Sequence, residues 1–118
     1  MTRTSAQSGS LQAFKAEFFR ALGHPVRIRI LEILIGGERG VQELQEALGL
    51  GQPIVSQHLA MLRAKNIVRA RKEGTTVRYT IRDASIRELL AIARRIFDNQ
   101  LIDSQTMLRE LRREGRRR

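Results

Sequence analysis

A mainly α, α+β fold is predicted: several helices and one two-stranded β-hairpin around a single core. Three observations predict it. Apolar residues recur at helical spacing in five separate stretches, strict alternation occurs in only one place, and Gly or Pro punctuates nearly every junction. At 118 residues the chain has room for one hydrophobic core and no second domain. Residues 1–10 read as a small, polar, disordered arm, 11–112 as the single domain, and 113–118 as a basic tail.

The first helix is expected from Leu11 to Leu22, with Leu11, Phe14, Phe18, Ala21 and Leu22 on one stripe and Phe19 beside it. Adjacent phenylalanines on so short a helix imply two buried faces, one of them against another subunit. Gly23 interrupts, and Pro25 opens a second helix to about Ile35 that is apolar nearly all round, broken by Arg27, Arg29 and Glu32. Its β-branched residues favour a strand, but its length, the Pro start and the Gly36-Gly37 stop favour a helix.

Gly40 to Asn66 is the stretch around which the chain is organised. Val41, Leu44, Ala47 and Leu48 define one short helix that Gly49 can end in a left-handed conformation. Pro53 suits the first position of the next helix, whose Val55, Leu59 and Leu62 face inward together. Gln52, Ser56, Gln57 and Ala60 then face outward. That surface is short, polar and uncharged, as suits a helix laid against base edges in the major groove.

Ile67 to Lys72 and Thr75 to Arg82 read as two strands turned by Glu73-Gly74. Val77, Tyr79 and Ile81 alternate with Thr and Arg, and Arg69, Arg71, Lys72 and Arg78 cluster on the ribbon. A basic hairpin after a recognition helix is a wing, placed to reach phosphates or the neighbouring minor groove. A last helix from Ser85 to about Leu111, capped by Asp83 or Ser85, would be roughly 40 Å long. A domain of this size has a radius of gyration of only ~13–14 Å. The far half needs a partner, and the simplest is a second copy, with Leu11, Phe14, Phe18, Leu90, Phe97, Leu101 and Leu108 at the interface. A different protein chain on the same helix is the other option.

The net charge of +10 favours an anionic polymer as partner, and the expected one is double-stranded DNA. With no cysteine, thiolate metal sites and disulfides are excluded. No apolar run is long enough to span a membrane and the N-terminus is not a signal peptide, so a cytoplasmic location is expected. No catalytic triad, phosphate loop or paired carboxylates are apparent, which argues against an enzyme. No cofactor is called for. The one metal reading is a weak nickel or zinc site of nitrogen and oxygen ligands, His24 with Glu17 or Asp98.

Ala21-Leu22-Gly23-His24-Pro25-Val26-Arg27-Ile28-Arg29-Ile30-Leu31 resembles the opening Leu-x-x-Pro-x-Arg-x-x-Ile-Leu signature of the arsenic-repressor (ArsR) family of winged helix-turn-helix regulators. Val55-Ser56-Gln57-His58-Leu59 with Leu62-Arg63 resembles its recognition helix, and Ile67-Val68 with Arg71, Gly74 and Tyr79 its wing. The resemblance covers about Phe14 to Phe97. It implies a homodimeric repressor on a pseudo-palindromic operator, modulated by an effector. It further implies that Gln52, Ser56, Gln57 and His58 meet bases or nearby phosphates, while Arg71, Lys72, Thr75 and Arg78 serve the wing. The metal-sensing members carry Cys-x-Cys at the third helix, where this chain has Gly40 and Gln42. The last helix has Asp98 and Asp103 but no histidine. A metal-responsive regulator without cysteine ligands and a non-specific architectural binder are the alternatives.

Overall fold

The computed structural model describes residues 2–117; Met1 and Arg118, the latter at the end of the basic tail, lie outside the described residues. In chain order the elements are α1 (Thr2–Leu22), α2 (Pro25–Ile35), β1 (Arg39–Gly40), α3 (Val41–Leu48), α4 (Gln52–Ala64), β2 (Val68–Glu73), β3 (Thr76–Ile81) and α5 (Ala84–Arg117). The chain divides into two compact units, one up to Asp83 and one formed by α5.

The first unit is built on α2. His24 caps it, its Nδ1 accepting the Val26 N–H at 3.1 Å, and Pro25 follows with its φ already helical. Ile30, Leu31 and Leu34 are fully buried, and they pack in the same core as Leu44, Val55, Leu59, Leu62 and Ile67. The helix is less uniformly enclosed than its composition predicts. Ile28 and Ile35 are exposed, while Arg27, expected as a polar interruption, is buried.

The α3–α4 turn is as read from Gly49, which lies at φ 68° and donates its N–H to the Gln45 carbonyl at 2.8 Å. A side chain at that φ would be strained, so glycine is the natural residue there. Pro53 falls second rather than first in α4, because Gln52 already has helical geometry. Asn66, at φ 58°, ends α4 in the left-handed conformation that asparagine tolerates best after glycine. The Ile67 N–H then returns to the Leu62 carbonyl at 3.0 Å and sends the chain into β2.

The sheet has three antiparallel strands in the order β1-β3-β2. The wing was expected with two; β1 adds Arg39 and Gly40 opposite Tyr79 and Arg78. Glu73 pairs with Thr76, which moves the turn one residue on, to Gly74-Thr75. Gly74 takes φ 64° at the first turn position, as a type II′ hairpin requires.

Two boundaries differ from expectation. The stretch 2–10, read as a disordered arm, continues α1 back to Thr2, since its small polar residues contain no proline to stop a helix. The basic tail likewise continues α5 to Arg117, six residues past Leu111. Along α5, Phe97, Leu101 and Leu108 leave 56%, 63% and 49% of their surface exposed.

Candidate nucleic-acid interface

Helix α4 presents two faces of opposite character. Val55, Leu59 and Leu62 are fully buried, and the opposite side exposes Pro53, Gln57 and Ala60. The 100° turn per residue sets Gln57 almost diametrically across from Val55, so its amide projects from the middle of the exposed face. Gln52 and Ser56 sit on one flank, with Gln52 Nε2 donating to Ser56 Oγ at 2.8 Å. That flank borders an open cleft of about 430 Å³ lined by Gln42, Gln45, Gln52, Thr75 and Thr76. The cleft brings the start of α4, the outer side of α3 and the tip of the hairpin onto one surface. Its polar side chains are uncharged.

His58 is on the other flank. Half-buried, it lies 3.2 Å from Arg27 Nη1 through Nδ1, and its ring centroid is 4.4 Å from that of His24. The resemblance implied that His58 meets bases or phosphates; in the fold its Nδ1 edge faces Arg27 on α2. The helical period gives its angle on α4, but only packing decides which flank α2 covers.

The wing separates its residues by strand alternation. Val68, Ala70, Tyr79 and Ile81 share one face, and Arg69, Arg71, Arg78 and Thr80 the other. Lys72, paired with Val77, projects from the face opposite Arg71 and Arg78, so the basic cluster is split. Arg71 and Arg78 are themselves engaged. Glu38, just before β1, accepts from Arg71 Nη2 at 2.6 Å and from Arg78 Nε at 2.7 Å. Arg78 also lies 3.3 Å from Glu43 and 3.8 Å from Glu73. Hydrogen bonds from Arg71 and then Arg78 hold the Glu38 carboxyl below the usual carboxylate range. The sequence contained no signal for this set, since Glu38 meets partners 33 and 40 residues further along.

Two of the candidate metal ligands already have partners. His24 uses Nδ1 to cap α2. Glu17 pairs with Arg20 at 2.6 Å and with Lys65 at 3.8 Å. Asp98 lies on α5, and among the described residues no three His, Cys, Asp or Glu side chains converge as a metal-holding group. Among the described residues, no helix is long and apolar enough to cross a membrane.

A helix-turn-helix with an exposed polar recognition face, followed by a basic hairpin, defines a winged DNA-binding domain. Residues 24–70 match the model of the bacterial regulatory protein arsR family. The chain is 43% identical over 110 residues to the HTH-type transcriptional regulator Rv0081 of Mycobacterium tuberculosis, covering 92% of this chain and 96% of that one. The crystal structure of M. tuberculosis Rv0081 superposes with a TM-score of 0.75 at 45% identity, over 79% of this chain and 94% of that chain. NolR from Sinorhizobium fredii gives 0.71 at 32% identity, over 77% and 91%. The homodimeric winged helix-turn-helix DNA-binding domain Mb0332 from Mycobacterium bovis gives 0.75 at 30% identity, over 80% and 88%. The chain belongs to the ArsR family and is a DNA-binding transcriptional regulator.

Proposed function

We propose that the chain acts as a homodimeric repressor, placing one α4 in each of two successive major grooves of a pseudo-palindromic operator. Gln57 reads a base edge from the centre of the exposed face, with Gln52 and Ser56 beside it. Thr75 and Lys72 at the hairpin tip, together with Arg71, approach the flanking phosphates. The observation that carries this reading is the character of α4: its outer side is uncharged, exposed and centred on an amide, although the chain carries a net charge of +10. A binder that used charge alone would present its cations there.

The second copy is called for by apolar surface. Leu11 and Phe14 on α1 are 52% and 74% exposed, and Ile92, Ile96, Phe97, Leu101, Ile102 and Leu108 on α5 are exposed as well. Such a surface on one chain is a protein-binding face. Phe18 and Leu90, half-buried in the single chain, are proposed to complete the dimer contact. The dimer works in the cytoplasm by binding and not by catalysis. Any effector that modulates it acts without thiolate chemistry, since the sequence has no cysteine.

Selection of duplexes from a random library, combined with sedimentation of the free protein, tests the proposal. Enrichment of an inverted repeat by a protein sedimenting as a dimer is expected. No enrichment would leave an architectural binder. A monomer that dimerises only with another chain would assign the α5 surface to a different partner.

A further inference from the structure

Arg27 is only 8% exposed, on the face of α2 that also buries Ile30, Leu31 and Leu34. Burying a guanidinium is costly unless its donors are satisfied. Here Nε donates to the Ala21 carbonyl at 2.6 Å and Nη2 to the Arg20 carbonyl at 3.2 Å. Both acceptors belong to the last turn of α1, at the negative end of the helix dipole, where the Arg20 carbonyl also accepts the Gly23 N–H at 3.1 Å. The third nitrogen, Nη1, meets His58 Nδ1 at 3.2 Å. One side chain thus spans from the end of α1 to the recognition helix.

The donor inventory determines the state of His58. A guanidinium has only donors, so Nδ1 of His58 must accept, and the ring is the neutral tautomer with its proton on Nε2. The charged and titratable groups around it are Arg27 and His24, from α2 and its cap. On the α1 side, Glu17 is occupied by Arg20 and by Lys65 at the end of α4. A proton on His58 Nδ1 would set a donor against a donor and a cation against a cation.

We propose that Arg27 is a positioning residue for DNA binding: through a neutral His58 it fixes α4 to the C-terminal end of α1. This rests on the proposed roles of α4 in the groove and of α1 beside a second copy, and it supplies the connection between them. Burial first, then the charges of His24 and Arg27, push His58 below its ordinary value, so the neutral ring persists near neutral pH.

The test compares wild type, His58→Gln and Arg27→Lys on a duplex selected with the wild-type chain and on its scrambled counterpart. As the pH falls from 7.5 through the lowered His58 value, the wild-type ratio of selected to scrambled affinity should fall about tenfold, the size of one lost hydrogen bond of this kind. His58→Gln, whose amide oxygen still accepts from Arg27, should have a flat ratio. Arg27→Lys, which cannot reach both α1 and His58, should lower the ratio about tenfold at pH 7.5. Ring-nitrogen NMR should show His58 as the Nε2–H tautomer in wild type and a mixture in Arg27→Lys. A wild-type pH profile retained by His58→Gln, or an Nδ1–H tautomer in wild type, would overturn the proposal. If no duplex is selected, the DNA reading fails instead, and the NMR result alone decides the link.

Discussion

Arg71 and Arg78 stand directly opposite one another on β2 and β3, and the Glu38 carboxylate bridges them at 2.6 and 2.7 Å. Like charges in such a cross-strand pair repel. Glu38 turns the repulsion into a three-residue clamp that also ties the ribbon to β1. The wing is therefore not a free basic surface. Arg78 serves chiefly to hold carboxylates, and Arg71, the more exposed of the two with 55% of its side chain accessible, is the better placed to exchange Glu38 for a phosphate.

The clamp makes the ribbon sensitive to acid. Because the Glu38 carboxyl titrates below its ordinary value in the fold, the unfolded chain binds the extra proton first as pH falls. The clamp's contribution is complete above the ordinary carboxylate range and is lost as pH drops through the lowered value. In Glu38→Gln that contribution is absent at every pH. Tyr79, the single tyrosine, lies on β3 opposite Ala70 and can report the change by fluorescence. The expected result is a transition at higher pH in the variant; coincident transitions would mean that the clamp does not stabilise the ribbon.

The two arginines should separate by readout. Arg71→Ala is expected to weaken binding to selected and scrambled duplexes alike and to reduce the salt slope by roughly one. Arg78→Ala should instead lower the thermal midpoint, since it removes ion pairs to Glu38, Glu43 and Glu73 together and leaves Arg71 alone to hold Glu38 and Glu73. An unchanged midpoint with a reduced slope for Arg78→Ala would reverse the assignment.

Gln57 bears the sequence preference in this scheme. Gln57→Ala should reduce discrimination between selected and scrambled duplexes by about 1–3 kcal/mol, the range for one bidentate amide–base contact. Competition titrations at fixed salt measure it. Equal losses on both duplexes would place Gln57 on the phosphate backbone.

Packing beneath the same helix can be tested by contrast. Leu59 is fully buried, and Leu59→Ala should cost roughly 2–5 kcal/mol in urea unfolding, a transfer loss plus a cavity. Met61, two residues on and 46% exposed, should stay within about 0.5 kcal/mol on the same change. Similar costs at both positions would mean that α4 is rotated from the orientation described.

Much of this was legible from residue order alone. Val55, Leu59 and Leu62 share a helical stripe, Gly49 is where the chain must turn left-handed, and alternation from Val77 to Ile81 marks a strand; each signal is local, spanning a few residues. Strand β1 left no such trace, because two residues have no period. The start of α1 leaves little trace for a related reason: Thr2 to Ser10 carry no apolar stripe and include Gly9, and only the absence of proline speaks for them.

What the sequence by itself determined was the recognition helix, the wing and the family, because these follow from short-range periodicity and turn chemistry. Only the tertiary structure decided what the charged side chains do. Arg27 interrupts an apolar run and reads as solvated, yet it is buried against the carbonyls of Arg20 and Ala21 and the ring of His58. Arg71 and Arg78 read as open cations, yet both hold a glutamate on the far side of the helix-turn-helix. Long side chains choose partners by distance in space, and their flexible stems carry no periodic signature of that choice.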